Sequence, residues 1–380
     1  MERIYMDHAA TSPMHAEVIE EMTAVMKETF GNPSSIHSFG RSARHLVDQA
    51  RTKIARSLKA DYNEIIFTSG GTEADNLAIT GTVHANASRG KHIITTQIEH
   101  HAVLHTCRHL EEQGFEVTYL PVDESGRISL GDLEHALRQD TILVTVMYGN
   151  NEVGTIQPIR EIGQLLKDHD AYFHTDAVQA FGLMDIDVNE LGVDMLSVSG
   201  HKINGPKGVG FLYCSQNVNL QPGTFGGEQE RKRRAGTENV PAIAGLGKAV
   251  ELAQQSLDEK SAMYEGFKEL FRKTLMEKNV EFDENSSLEH GLPHVLNLSF
   301  PGTDVESMLM NLDMAGIAVS SGSACTAGSI EPSHVLVAMF GNESGRTRDS
   351  IRFSFGLGNT EAQIEQAATE VAKVVGRLVS

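Results

Sequence analysis

Between residues 64 and 213 the chain alternates short apolar runs with helical patterns, and few folds accommodate that alternation. Glu64–Thr68, Lys91–Thr95, Glu116–Leu120, Thr141–Val146, Ala171–Thr175, Asp194–Val198 and Gly208–Tyr213 read as short buried strands. Asp75–Ala87, Val103–Gln113 and Arg160–His169 carry helical spacing between them. Such a βα series predicts an α/β fold: a large, mostly parallel, seven-stranded sheet with helices on both faces. The pattern changes after about residue 257. An amphipathic segment, Glu259–Lys278, leads to strand-like runs at Val295–Phe300 and Ser350–Phe355 and a closing helix at Thr360–Val379. We read residues 16–257 as a large domain, and residues 1–15 with 258–380 as a smaller α+β domain.

Composition narrows the function classes. A length of 380 residues suits two domains. The net charge of −19 argues against a surface for nucleic acid, which needs clustered Lys and Arg. No apolar run approaches the ~20 residues of a membrane span. The N-terminus reaches Asp7-His8 with no basic start and apolar stretch, so no signal peptide is expected. Cys107, Cys214 and Cys325 are odd in number and far apart, which suits neither a disulfide framework nor a zinc site. A reducing cytoplasm is the expected compartment.

The ends of the strands carry the chemistry. Lys202 sits in the glycine-bounded segment Ser197–Gly208 straight after a strand, and Asp176 follows another. In open α/β sheets such positions line the ligand crevice. A Schiff-base lysine and an aspartate for a pyridinium nitrogen are what pyridoxal phosphate requires. Thr68-Ser-Gly-Gly-Thr-Glu-Ala-Asp75 lies between strand and helix, with Thr72 as expected N-cap and Asp75 at N3. It reads as a phosphate cup on a helix N-terminus or as an ordinary capped helix. Gln179 could bond a ring oxygen. His100, between strand and helix, could stack on a flat ring or act as acid–base. His101, His105 and His109 share one helical face and read as solvated; they lack the H-E-x-x-H metal pattern. Arg231–Arg234 is the one basic run: a solvated loop, or a lead-in to a phosphate contact by Gly236-Thr237.

Two further residues point to a substrate. Arg352 lies in the apolar alternating run Ile351–Phe355 and needs an anion there. A substrate carboxylate and an internal salt bridge fit equally well. Cys325 lies in Ser320-Ser-Gly-Ser-Ala-Cys-Thr-Ala-Gly-Ser329, a run of small residues without apolar periodicity. A cysteine there has the reach of a nucleophile. Cys107, on one helical face with Val103 and Leu110, and Cys214, at a strand end, read as core.

These residues resemble the cysteine desulfurases, pyridoxal-phosphate enzymes of aminotransferase fold type I, and within them group I, the NifS/IscS-like kind. The resemblance runs nearly end to end, through Asp7–Pro13, Gly31–Ser35, Thr68–Asn76, Glu99-His100, Asn150–Gly154, Asp176–Gln179, Ser199–Lys202, Arg234–Thr237 and Ser320–Thr326. It implies pyridoxal 5'-phosphate bonded to Lys202, paired with Asp176 and stacked on by His100. Gly71, Thr72, Ser199, His201 and Thr237 would hold the phosphate, with Thr237 coming from the other subunit of a homodimer. Asn151 and Gln179 would contact the ring oxygen and substrate, and Arg352 the carboxylate of L-cysteine. Cys325 would attack the substrate sulfur and keep it as a persulfide, releasing alanine; Lys202 or His100 would move the proton. No metal site is implied. Many housekeeping members continue past the last helix into a tail that helps dock an iron–sulfur scaffold protein, whereas this chain stops at Arg377–Ser380. That leaves room for another sulfur acceptor, such as a tRNA-thiolating enzyme. A selenocysteine lyase, and an aminotransferase or β-lyase on the same fold, are the alternatives.

Overall fold

The computed structural model describes residues 3–287, 289–322, 325–326 and 329–379, the side chains of 325, 326, 329 and 330 excepted. Its centre is a seven-stranded sheet. In spatial order the strands are Ile65–Thr68, Gly210–Cys214, Met195–Ser199, Tyr172–Asp176, Thr141–Thr145, His92–Thr96 and Glu116–Leu120. Gly210–Cys214 runs antiparallel to both neighbours, and every other pairing is parallel. Five of the strands are buried along their whole length and rich in Ile, Val and Leu, as expected of strands covered on both faces.

Predicted strand positions fall within two residues of the observed ones. The shift matters at Asp176, which is the last residue of its strand rather than the first beyond it, and so is held by the ladder. The helix after Ile65–Thr68 spans Gly71–Ala85, four residues ahead of the expected start. Its N-cap is Gly70 and not Thr72, and Asp75 is therefore not at N3. Gly70 takes φ 150°, which a side chain disfavours. Glu73 spends its carboxylate on the Ser69 N–H (2.7 Å) and on Arg234 Nε (2.7 Å).

The second half builds its own apolar cluster. Phe271, Phe300, Phe353, Phe355, Val371 and Val374 pack around the antiparallel strands Val295–Ser299 and Ser350–Ser354, between the helices Leu257–Glu277 and Glu361–Leu378. Ile4 and Met6 join this cluster, because Ile4–Tyr5 pairs with Ile317–Ala318. The segment after it crosses back. Ala9 donates to Ser354 Oγ (2.9 Å), and Ser12 N–H and Oγ both bond His201 O (2.9 and 2.8 Å). Residues 7–13 thus strap the two halves together beside the ends of the central strands. Among the described residues no helix is long and apolar enough to cross a membrane.

Candidate active site

A cavity of about 410 Å³ opens at the ends of the central strands. Gly71, Thr72, His100, Asn151, Asp176, Gln179, Ser199, His201, Lys202 and Arg352 all line it, although they are spread over most of the chain. Thr237 is exposed and lies outside that lining. Cys325 belongs to a two-residue strand, Cys325–Thr326, paired with Ser329–Ile330; its side chain lies outside the described residues. A larger cleft of about 580 Å³ surrounds Arg51 and Glu230. Those two groups satisfy each other in a bidentate pair (2.8 and 2.7 Å), which leaves little for a ligand.

Lys202 ends the 3-10 turn Gly200–Lys202 that follows the strand Met195–Ser199. Its ammonium donates to Ala9 O and to Ala10 O (2.7 Å) on the strap. Burial, and then the positive charge of Arg352, lower its pKa to about 8. The amine is thus within reach of its neutral, nucleophilic form near physiological pH.

Asp176 accepts the Val178 N–H (2.9 Å), and burial raises its carboxyl to about 6. Beside it stands Asp75, raised well above the usual carboxylate range by burial and by the Asp176 charge. Asp75 Oδ1 is buried and has no hydrogen-bond partner. His174 lies 3.7 Å from that oxygen, but burial holds the imidazole neutral, with its pKa near 3. His100 completes the group: ligand-type atoms of Asp75, His100 and Asp176 lie within 4.8 Å of one another. Burial and Lys202 push His100 down to about 4, so it too is neutral at pH 7. Its Nδ1 accepts the Ala102 N–H at the start of helix His101–Glu112, which leaves the ring proton on Nε2. Two crowded carboxylates with an orphaned oxygen attract a positive charge. A protonated ring nitrogen meets that need, and so would a metal ion.

The anion end of the cavity is built from backbone. No side chain caps the helix Gly71–Ala85, and the first N–H to turn back into the chain is Ala74, to Gly70 O (3.1 Å). The preceding N–H groups and the positive helix end are thus suited to receive an anion such as phosphate. A Cβ at Gly71 would sit 2.8 Å from Val178 Cγ2, so glycine keeps the cradle open. His201 bonds Thr11 Oγ1 (3.1 Å), and burial lowers its pKa to about 4.

Arg352 makes the internal salt bridge that the sequence allowed and still faces the cavity. Nη2 pairs with Asp7 (2.8 Å) and Nη1 bonds Asn151 O (2.8 Å), yet Nε is buried without a partner and the side chain lines the cavity. Gln179 is more constrained than expected. Its amide donates to Ala9 O (2.9 Å) and its oxygen meets His294 Nε2 (3.1 Å). Asp75, Glu99, Glu152 and His334 escaped the sequence reading as site residues. Glu99 is fully buried beside the site and pushed up to about 8 by that burial. A carboxylate in a helix start or turn motif was the available signal for Asp75, Glu99 and Glu152, and His334 offered none.

Comparison with known proteins fits this geometry. The model of the aminotransferase class-V family matches residues 4–367. The chain belongs to the class-V aminotransferase family. A putative cysteine desulfurase IscS 1 of Bacillus subtilis (strain 168) is 65% identical to it over 378 residues, with both chains covered fully. A solved structure titled NifS-like protein superposes with a TM-score of 0.93 at 36% identity, covering 99% of this chain and all of that one. A structure titled SspA in complex with cysteine superposes at 0.80 with 40% identity, covering 93% and 98%. The α/β architecture and mostly parallel seven-stranded sheet read from the sequence are those of this family.

Proposed function

We propose that this protein is a cysteine desulfurase that takes sulfur from L-cysteine, leaves L-alanine, and passes the sulfur on from Cys325. The observation that carries the reading is one cavity holding a lysine of lowered pKa, a buried aspartate pair and an arginine with a free N–H. The residues fit pyridoxal 5'-phosphate: Lys202 for the aldehyde, Asp176 with Asp75 for the ring nitrogen, and the open helix end at Gly71 and Thr72 for the phosphate. Ser199, His201 and Thr237 would complete the phosphate site, with Thr237 supplied by the second copy of a homodimer. His100 would stack on the ring, and Asn151 and Gln179 would contact its oxygen. When bound, the group supplies an aldehyde for amine capture and a protonated ring that withdraws electrons from the substrate's Cα.

The chain's own residues do the rest. Arg352 orients the substrate carboxylate through Nε and its remaining N–H groups. Lys202, near its pKa, takes the proton from Cα and returns one; His100, neutral and protonated on Nε2, shares that shuttle. The Cys325 thiolate attacks the substrate Sγ. A sulfur–sulfur bond forms, the C–S bond breaks with its electron pair left on carbon, and that carbon takes a proton to become alanine. The persulfide then goes to an acceptor protein, an iron–sulfur scaffold or a tRNA-thiolating enzyme, in the cytoplasm. Residues 16–257 act as the large domain, and 1–15 with 258–380 as the small one that brings Arg352 and Cys325 to the cavity.

The test is a turnover with sulfur-labelled L-cysteine. Alanine should appear with one added sulfur mapped by mass spectrometry to Cys325. Pyruvate as product, or full turnover by Cys325→Ala, would favour a β-lyase or aminotransferase instead. Competition between L-cysteine and L-selenocysteine separates the selenocysteine lyase alternative.

A further inference from the structure

We infer that Glu152 is a positioning residue that fastens both ends of the Cys325 segment to the cavity wall. Glu152 is 2% exposed and lines the cavity together with Arg352. Its backbone is fixed from two sides. Its N–H donates to Asn150 Oδ1 (2.8 Å), and its carbonyl accepts the Asn297 amide (3.1 Å). Its Oε2 accepts the hydroxyl of Ser333, the N-cap of helix His334–Phe340. The same carboxylate lies against Gly322, where an added Cβ would overlap it and stand 2.6 Å from Glu152 Cδ. Gly322 and Ser333 flank Cys325 in sequence, one on each side. The leading stem is also tied to the substrate arginine, because Ser320 and Arg352 exchange backbone hydrogen bonds (3.3 and 2.7 Å).

A buried carboxylate left without its partners loses far more than one hydrogen bond is worth, so this contact is specific. Burial raises the Glu152 carboxyl to about 7, against the pull of Ser333 and Arg352. A segment that must reach into the cavity for sulfur and then out to an acceptor needs ends that stay put. Fixed stems shorten the search of the thiolate for the substrate sulfur, which is a gain in effective concentration. Glycine at 322 lets the stem lie on the carboxylate with no atom between them.

This inference rests on the desulfurase reading. The holoenzyme is mixed with L-cysteine in a single turnover, and two signals are followed: the visible absorbance change on substrate binding, and persulfide on Cys325 by quenched mass spectrometry. Glu152→Ala should slow persulfide formation about tenfold or more, with substrate binding at unchanged concentrations. Glu152→Gln, which still bonds Ser333, should stay within about threefold of the native rate. Gly322→Ala should match Glu152→Ala, and the double variant should be no worse than either, since removing the carboxylate makes room for the new methyl. Native persulfide rates in Glu152→Ala, equal losses of binding and transfer, or multiplying defects in the double variant would each overturn the assignment. If Glu152→Ala does not fold, Ser333→Ala and Gly322→Ala decide it through the same two signals. A native enzyme that never forms the persulfide sinks the desulfurase reading itself; a native enzyme that does, beside unaffected variants, sinks only the role of Glu152.

Discussion

Asp176 ends a central strand and is held by its backbone pairing, and Lys202 sits in the tight turn Gly200–Lys202 that follows the adjacent strand. Cys325 lies in a strand of two residues whose partner is the other arm of its own hairpin. The first arrangement suits proton transfer, which demands fixed distances between acid, base and carbon. The second suits the sulfur relay proposed for Cys325. One wall of the cavity is therefore preorganised by the fold, whereas Gly322 and Ser333, on either side of Cys325 in the chain, meet that wall at Glu152.

Breaking the fixed wall should have the largest effect. Lys202→Ala should lower turnover by roughly a thousandfold or more, and borohydride should trap no cofactor adduct on the protein. Label found on Lys207 instead would dismantle the assignment. Cys325→Ala should stop sulfide release just as completely while leaving cofactor absorbance and substrate binding intact. That contrast, loss of all chemistry against loss of the last step alone, is the sharpest measure of the difference between the walls. Arg352→Lys keeps the charge but loses the planar fork. It should raise KM about 10–100-fold, with a smaller change in kcat, in steady-state assays.

The next effect is on stability rather than turnover. Burial raises Glu99 from 4.5 to about 8, so the folded chain holds this proton to higher pH than the unfolded chain. Stability from this group is complete at low pH and is lost as pH rises through about 8. Thermal melts from pH 5 to 9 should show the native protein losing ground to Glu99→Gln as pH increases; parallel curves would refute the buried proton. The smallest effect belongs to the other cysteines. Cys107 and Cys214 are buried, and burial pushes the Cys214 thiol up to about 12 and Cys107 higher still. Alanine at either should cost about 1–3 kcal/mol in denaturant melts, with activity per folded molecule kept. Added sulfur at either thiol would contradict the contrast with Cys325.

The fixed wall was the legible one. Apolar runs ending in Asp176 or leading to Lys202 announce strand ends, because hydrophobic period and glycine punctuation are local properties. The partners that tune those groups were not legible. Asp75 was read as part of a cap, and only the sheet's closure sets it against Asp176. The same holds for Glu152, which meets Gly322 and Ser333 across more than a hundred residues of chain. Thr72 was misplaced as a cap because the turn chemistry lay two residues earlier, in a glycine with φ 150°. Arg352 left two partners open from sequence, and the structure assigns it Asp7 while keeping Nε free.

In the proposed cycle, the two carbonyls of the strap that receive the Lys202 ammonium would act as a waiting place. A lysine that carries a cofactor and yields it to each substrate needs somewhere to stand meanwhile. Ala9 and Ala10 provide it with backbone atoms, which no side-chain change at those positions removes. The strap of residues 7–13, held against Ser354 and His201, would then be where that amine rests.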